Sequence, residues 1–163
     1  MPLFILSVYL IESRMSISKE NEISTLANAD TFSEQTEHLL EFSARTQAKA
    51  SMLFITFEAV NTQLNEQQSE LVIQAISQVL LSKARESDIY AHLDGMNFAN
   101  LSVDTSEQHA KTIASKLKTD LAQPLLLADG TNLTLHTKVG SASFPTQGSN
   151  YTQLISSARS AAH

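Results

Sequence analysis

Residues 85–103 read Arg-Glu-Ser-Asp-Ile-Tyr-Ala-His-Leu-Asp-Gly-Met-Asn-Phe-Ala-Asn-Leu-Ser-Val. Two runs of strand-forming residues flank Asp94-Gly95, a dipeptide that accepts the positive backbone angles of a tight hairpin turn. The stretch therefore predicts two antiparallel strands, over about 88–93 and 96–103, that are joined at this turn.

Helices and strands alternate on both sides of the predicted hairpin. Apolar residues at helical spacing predict helices near 31–46, 67–84 and 106–122, and a last helix begins after residue 150. Strand formers predict strands at 51–58, 125–128 and 132–144. This order indicates an α+β sheet with helices packed on it. The expected buried stripe of the first helix consists of Phe32, Leu39, Leu40 and Phe42.

The hairpin resembles the signature hairpin of GGDEF domains, which make cyclic di-GMP from two GTP molecules. In that family the turn reads Gly-Gly-Asp-Glu-Phe or Gly-Gly-Glu-Glu-Phe, and an Arg-x-x-Asp motif precedes it by five residues. Here Arg85 and Asp88 have the upstream spacing, and the turn positions are Asp94, Gly95, Met96, Asn97 and Phe98. The resemblance implies a nucleotidyl-cyclase palm, which is a ferredoxin-like core with a mainly antiparallel central sheet flanked by helices.

A second stretch resembles the family's first strand, whose usual pattern is Asp-x-Asp-x-Phe-Lys-x-x-Asn. In residues 51–61, Phe57 and Asn61 match this pattern, whereas Leu53 and Ile55 occupy the two Asp positions. In the family, the metal site draws on this strand and on the hairpin together. Both parts of the site have therefore lost acids in this chain.

The loss of acids bears directly on the chemistry. Joining phosphate to a ribose hydroxyl places charge on phosphoryl oxygens, and enzymes meet that charge with a divalent metal held by carboxylates. Magnesium prefers hard oxygen ligands, so the Met96 thioether is a poor ligand and the neutral amide of Asn97 is a weak one. The sequence thus predicts a domain without catalytic residues, metal or cofactor.

Four residues remain candidates for ligand binding. In the family, an Arg-x-x-Asp motif forms the inhibitory site that binds the product, so Arg85 and Asp88 are a candidate cyclic di-GMP site. Alternatively, the motif ends one helix and begins a strand, with Arg85 pairing locally. Asn61 and Glu70 align with the family's guanine-contacting Asn and Asp, and they indicate a remnant guanine pocket.

Three functions follow from these expectations. The first is an inactive GGDEF domain that acts as a regulatory or protein-interaction module, with a phosphodiesterase or another GGDEF domain as its partner and a homodimer as one arrangement. The second is a cyclic di-GMP receptor that uses Arg85 and Asp88. The third is a regulatory domain that binds GTP weakly.

Composition narrows the classes of partner. The chain has 163 residues, of which 42% are hydrophobic and 17% charged, as expected of one folded domain. Its net charge of −6 argues against a nucleic-acid backbone as the main partner. It contains no cysteine, which excludes thiol chemistry and thiolate metal sites. Its five histidines are scattered, without the spacing of a metal site on a helix face.

The division of the chain is expected near residue 20. Residues 1–20 form an apolar segment and a helical lead-in, and residues 21–163 form the GGDEF-like domain, truncated in its last helix. The apolar start is too short for a bilayer span, which takes about 20 residues. It either packs on the domain or is the stump of a tether. We expect a cytoplasmic location, or the cytoplasmic part of a larger membrane-associated protein.

Overall fold

The computed structural model describes residues 26–60, 62–85, 88–103 and 107–163. The expectations for the first 25 residues, for Asn61 and for the start of the helix near residue 106 lie outside these ranges. Within them, no helix has the length and apolar composition needed to cross a membrane. The elements are α1 (Ala29–Thr46), β1 (Ala50–Ala59), α2 (Glu66–Lys83), β2 (Asp88–Asp94), β3 (Asn97–Val103), α3 (Glu107–Asp120), β4 (Leu125–Leu126), β5 (Asn132–Leu133), β6 (Leu135–Phe144) and α4 (Tyr151–Ala161).

Four strands form one antiparallel sheet in the order β2-β3-β1-β6, and β4 and β5 form a separate hairpin. The sequence of elements from β1 to β6 contains the β-α-β-β-α-β pattern of a ferredoxin-like core. In the register, Leu53 lies opposite Asn100 on one side and Ser141 on the other. The predicted α+β palm is therefore confirmed, with β1 at its centre.

Helices cover both faces of the sheet. On one face, α2 and α3 pack against β1, β3 and β6 through a core that includes Leu53, Ile55, Val72, Ile76, Leu80, Phe98 and Leu117. On the other face, α1 and α4 pack through a core that includes Phe32, Leu40, Met52, Phe54, Leu101, Phe144 and Leu154. Because both faces are buried, β1 is an almost continuous apolar run rather than an alternating one.

Two polar contacts join α4 to its neighbours, one to α1 and one to β1. The Glu37 carboxylate on α1 accepts a hydrogen bond from the Tyr151 amide at the start of α4, at 3.0 Å. The Arg159 guanidinium lies 4.5 Å from the centre of the Phe54 ring on β1. These contacts fix α4 at both ends, since a carboxylate suits a helix N-terminus and a guanidinium stacks on an aromatic face.

The structure corrects the expected stripe of α1 at one position. Phe42 is 52% exposed, whereas Phe32 and Leu40 are buried as expected. The remaining buried positions of α1 are Thr36 and Ser43, so the buried line advances by three or four residues at a time. Phe42 lies two residues beyond Leu40, which turns its side chain away from the sheet.

Gly140 on β6 allows close contact between α4 and the sheet. A Cβ atom at this position would lie 2.0 Å from the Ala158 carbonyl oxygen and 2.4 Å from the Ala162 amide nitrogen. Both are backbone atoms, so no side-chain rotation can relieve the overlap. The glycine is therefore required by the packing of α4.

We expect Gly140→Ala to lower the free energy of unfolding by about 1–3 kcal/mol, because α4 must move away from β6. Urea unfolding followed by circular dichroism measures this loss. Lys138→Ala, at an exposed position of the same strand, is the matched control and should change stability by less than about 0.5 kcal/mol. Equal stabilities of the two variants would contradict the packing role of Gly140.

Candidate functional site

The predicted hairpin is present, and its turn has the expected geometry. Gly95 has a φ angle of +46°, and the pairing of β2 with β3 shifts between His92 and Asp94. The His92 imidazole Nε2 lies 2.8 Å from the Gly95 carbonyl oxygen, within hydrogen-bond distance. The tight hairpin predicted from Asp94-Gly95 is therefore present.

The polar groups of the turn are engaged with one another. The Asn97 amide nitrogen donates to Asp94 Oδ1 at 2.7 Å, and the Asn97 amide oxygen accepts from the Thr56 hydroxyl on β1 at 2.7 Å. The side-chain oxygen of Asn97 is therefore already hydrogen-bonded within the protein. A cation at this turn would have to compete with both hydrogen bonds.

Apolar contacts hold the rest of the turn on the core. The Met96 side chain packs against the core of the α2 and α3 face. Its backbone carbonyl accepts a hydrogen bond from the Phe57 amide at 3.2 Å. Phe98 is fully buried and makes an edge contact with Phe57, with ring centres 5.6 Å apart. The His92 ring lies 4.9 Å from the Phe98 ring.

The two β1 positions that carry Asp in the family's pattern face the interior. Leu53 is 1% exposed and Ile55 is fully buried, and both belong to the core beneath α2 and α3. In the part of the chain that the structure describes, no three His, Cys, Asp or Glu side chains are grouped closely enough to hold a metal ion. The surroundings of Leu53 and Ile55 are therefore apolar.

Arg85 and Asp88 form a closed pair at the other end of β2. The Arg85 Nη2 donates to Asp88 Oδ1 at 3.2 Å, and the Arg85 Nε donates to Asp88 Oδ2 at 3.4 Å. The Arg85 backbone amide also donates to Oδ2, at 3.0 Å, and the Ser102 hydroxyl on β3 donates to Oδ1 at 2.7 Å. The Asp88 side chain is 5% exposed and that of Arg85 is 47% exposed.

This pair lines a cavity of about 580 Å³ between α2, α3 and β2. Lys83 contributes from the end of α2, and His109 and Lys116 contribute from α3. The Lys83 ammonium also lies 2.7 Å from an Asp120 carboxylate oxygen, and its hydrogen bond holds the pKa of Asp120 below the ordinary value. The size of the cavity falls within the range of small-molecule sites.

Tyr90 also lines this cavity and is 6% exposed. Burial raises the pKa of its phenol to about 12; the negative charge of Asp88 adds to the rise and Arg85 opposes it. The phenol therefore stays protonated across the physiological range.

The structure separates the candidate residues into two groups. It brings Arg85 and Asp88 together, whereas Glu70 is exposed on α2 and Asn61 lies outside the described residues. The sequence analysis missed Ser102. Its position directly opposite Asp88 in the hairpin register could have indicated the contact.

Comparisons with known proteins identify the family. The profile of the family "Diguanylate cyclase, GGDEF domain" matches residues 20–163. The chain therefore belongs to the GGDEF family, which is a family of cyclic di-GMP signalling. The predicted family assignment is confirmed.

Three similar proteins come from Pseudomonas aeruginosa. The cyclic di-GMP phosphodiesterase NbdA is 25% identical over 154 residues, which cover 93% of this chain and 20% of NbdA. The GGDEF domain of TpbB has a TM-score of 0.77 at 24% identity, covering 84% of this chain and 88% of that one. The diguanylate cyclase SiaD, solved in complex with its activator SiaC, has a TM-score of 0.77 at 19% identity, covering 97% and 61%. The chain spans 10% to 30% of the length of the curated relatives it matches.

The burial of Leu53 leads to a stability prediction. We expect Leu53→Asp to lower the free energy of unfolding by about 3–5 kcal/mol, because it places an unpaired carboxylate in the core. Met96→Glu, at the partly exposed turn, should cost only about 1 kcal/mol. Urea unfolding of both variants measures the difference.

Leu53→Asn is the uncharged companion to this test. The stability of Leu53→Asp should approach that of Leu53→Asn as the pH falls and the carboxylate gains its proton. Equal costs for Leu53→Asp and Met96→Glu would mean that position 53 tolerates an acid and that the core is more open than described.

The raised pKa of Tyr90 leads to a prediction at alkaline pH. The folded state holds the phenol proton more tightly than the unfolded chain, in which the pKa is about 10. The resulting contribution to the free energy of unfolding is present in full below pH 10. It is lost as the pH rises toward 12, by up to about 2–3 kcal/mol. Ultraviolet titration of tyrosinate should show a last step that Tyr90→Phe removes. Loss of that step in Tyr151→Phe instead would contradict the assignment.

Proposed function

We propose that this GGDEF domain does not make cyclic di-GMP and acts as a regulatory or protein-interaction module in cyclic di-GMP signalling. The supporting observation is the burial of Leu53 and Ile55 where the family's pattern has aspartates. Neither side chain offers an oxygen ligand, and the packed core around them leaves no charge to hold magnesium.

The hairpin supports the same proposal. Asp94 supplies a carboxylate within the turn, but this carboxylate already accepts a hydrogen bond from Asn97. Asn97 in turn accepts from Thr56. A turn whose polar groups pair internally is a stable surface feature rather than an open metal site, and such a surface suits recognition by another protein.

The relatives suggest what the module acts upon. A region of NbdA, a cyclic di-GMP phosphodiesterase, is similar to nearly the whole of this chain. SiaD, which shares the fold, binds an activator protein. We therefore propose that the domain spanning residues 21–163 regulates a phosphodiesterase or a second GGDEF domain, in the same chain, in a partner or in a homodimer. The lack of cysteine suits a reducing, cytoplasmic setting for this role.

A second candidate function is a cyclic di-GMP receptor. It is supported by the cavity beside Arg85 and Asp88, to which Lys116 adds positive charge, whereas the charge of Lys83 is balanced by Asp120. An arginine held in position by a carboxylate can offer its planar fork to an anionic ligand. This receptor needs no metal, so it is compatible with the loss of the acids.

Calorimetric titration separates the two functions. With GTP and magnesium, we expect no turnover to cyclic di-GMP at any protein concentration, because Leu53 and Ile55 occupy the positions of the acids in the family's pattern. With cyclic di-GMP alone, heat that disappears in Arg85→Ala supports the receptor. Arg45→Ala, an exposed arginine on the opposite side of the sheet, is the matched control and should titrate as the unchanged protein does.

Each other outcome has a definite meaning. Formation of cyclic di-GMP from GTP would contradict the proposal of an inactive domain. Absence of cyclic di-GMP binding would exclude the receptor and leave the protein-interaction module.

A further inference from the structure

The side of α1 that points away from the sheet carries a line of charged residues. The residues of α1 that are buried against the sheet are Phe32, Thr36, Leu40 and Ser43. A helix turns by about 100° per residue, so a residue two positions from a buried one points outward. Four exposed residues follow this outward line at intervals of three or four positions: Glu34, His38, Glu41 and Arg45. We call this line the outer face of α1.

The charges of the outer face are ordered along the helix. Glu34 lies toward its start, one turn after the exposed Asp30, and Arg45 lies at its end. The helix dipole favours an acid in the first turn and a base in the last, which accounts for Asp30 and Arg45. It does not account for Glu34, which lies beyond the first turn. A face with one negative and one positive end is complementary to a second copy that runs in the opposite direction.

One antiparallel register satisfies the charges of the outer face in two copies. When the pairing is centred between residues 39 and 40, Glu34 of each copy lies opposite Arg45 of the other. The same centre places His38 of each copy opposite Glu41 of the other, and a carboxylate can accept from an imidazole N–H. Because a two-fold axis relates the copies, each contact forms twice.

An exposed aromatic ring adds apolar area to this face. Phe42 is 52% exposed and lies one turn after His38, on the same flank of the helix. In the register above, Phe42 of one copy lies next to His38 of the other. Exposed ion pairs contribute only about 0–1 kcal/mol each, so burial of the two phenyl rings supplies apolar contact that the charges lack. The opposite flank of α1 is turned toward α4, since Glu37 there accepts from the Tyr151 amide.

We propose that two copies of this domain associate through the outer faces of α1, antiparallel and related by a two-fold axis. Glu34 and Arg45 set the register, and Phe42 provides the apolar contact. One pair of helices buries a small area, so the association is weak and is strongest at low salt. This inference rests on the proposed function, in which a second GGDEF domain is one of the partners, and it names the surface that joins them.

The test exchanges the charges of the outer face and measures self-association by sedimentation equilibrium over a range of protein concentrations. Glu34→Arg and Arg45→Glu should each weaken association by more than about tenfold, because each places like charges opposite one another twice. An equal mixture of the two variants should associate as the unchanged protein does. In the mixed pair every contact between positions 34 and 45 again joins opposite charges, and this recovery requires both variants to be folded.

Two further variants complete the test. Glu58→Arg makes the same change of charge at an exposed position of β1, and this matched control should associate as the unchanged protein does. Phe42→Ser should weaken both the unchanged pair and the mixed pair, since it removes the apolar contact and leaves the charges in place. Far-ultraviolet circular dichroism of each variant checks that α1 remains helical.

The other outcomes separate this inference from the function on which it rests. A protein that stays monomeric at low salt and at every concentration would overturn the inference and leave a regulatory domain that acts on a different partner. Association that survives both charge reversals would overturn it as well, because another surface would then join the copies. Loss in both single variants without recovery in the mixture would refute the antiparallel register. Formation of cyclic di-GMP from GTP would refute the proposed function and leave the association of two copies in place.

Discussion

The structure depends on the position of β1, which is buried on both faces and hydrogen-bonded along both edges. Most side chains of this strand contribute to one of two cores, and a polar group there needs a partner. The pattern that this strand resembles has aspartates at two of its positions, and buried carboxylates there would need a cation or a donor to balance them. In the present chain Leu53 and Ile55 satisfy the packing requirement directly, so the core is complete without a ligand.

The same constraint explains the state of the hairpin. Its strand β3 lies directly beside β1, so a turn that no longer faces a metal must satisfy its own polar groups. Asn97 does so by bridging Asp94 and Thr56, and Phe98 fills the space beneath. The apolar residues on β1 and the internal pairing of the turn therefore have the same effect, because each satisfies its own packing or hydrogen bonds within the protein.

The sequence predicted the sheet and most of the helices because their signals are local: apolar spacing, runs of strand formers and the Asp94-Gly95 turn. The prediction was wrong at Phe42. Burial on a helix depends on the angular position of a residue around the helix axis, and the apolar character of Phe42 does not determine that position. The sequence also could not reveal the cavity, because His109 and Lys116 are brought to the same cavity as Arg85 only by the packing of α3 against the sheet. The Ser102 contact follows from the strand register, which places Ser102 opposite Asp88. That register can be derived from the sequence only after the hairpin and its turn have been predicted.

The Arg85 and Asp88 pair shows why a surviving motif is not itself a function. The pair joins the end of α2 to β2, and its hydrogen bonds have a structural role whether or not a ligand binds. Retention of the two residues is thus compatible with both candidate functions. What separates them is the partly exposed guanidinium of Arg85 and the Lys116 side chain that lines the same cavity, since a purely structural ion pair gains nothing from further positive charge nearby. The cationic surroundings of the pair, rather than the motif, are therefore the physical argument for a ligand.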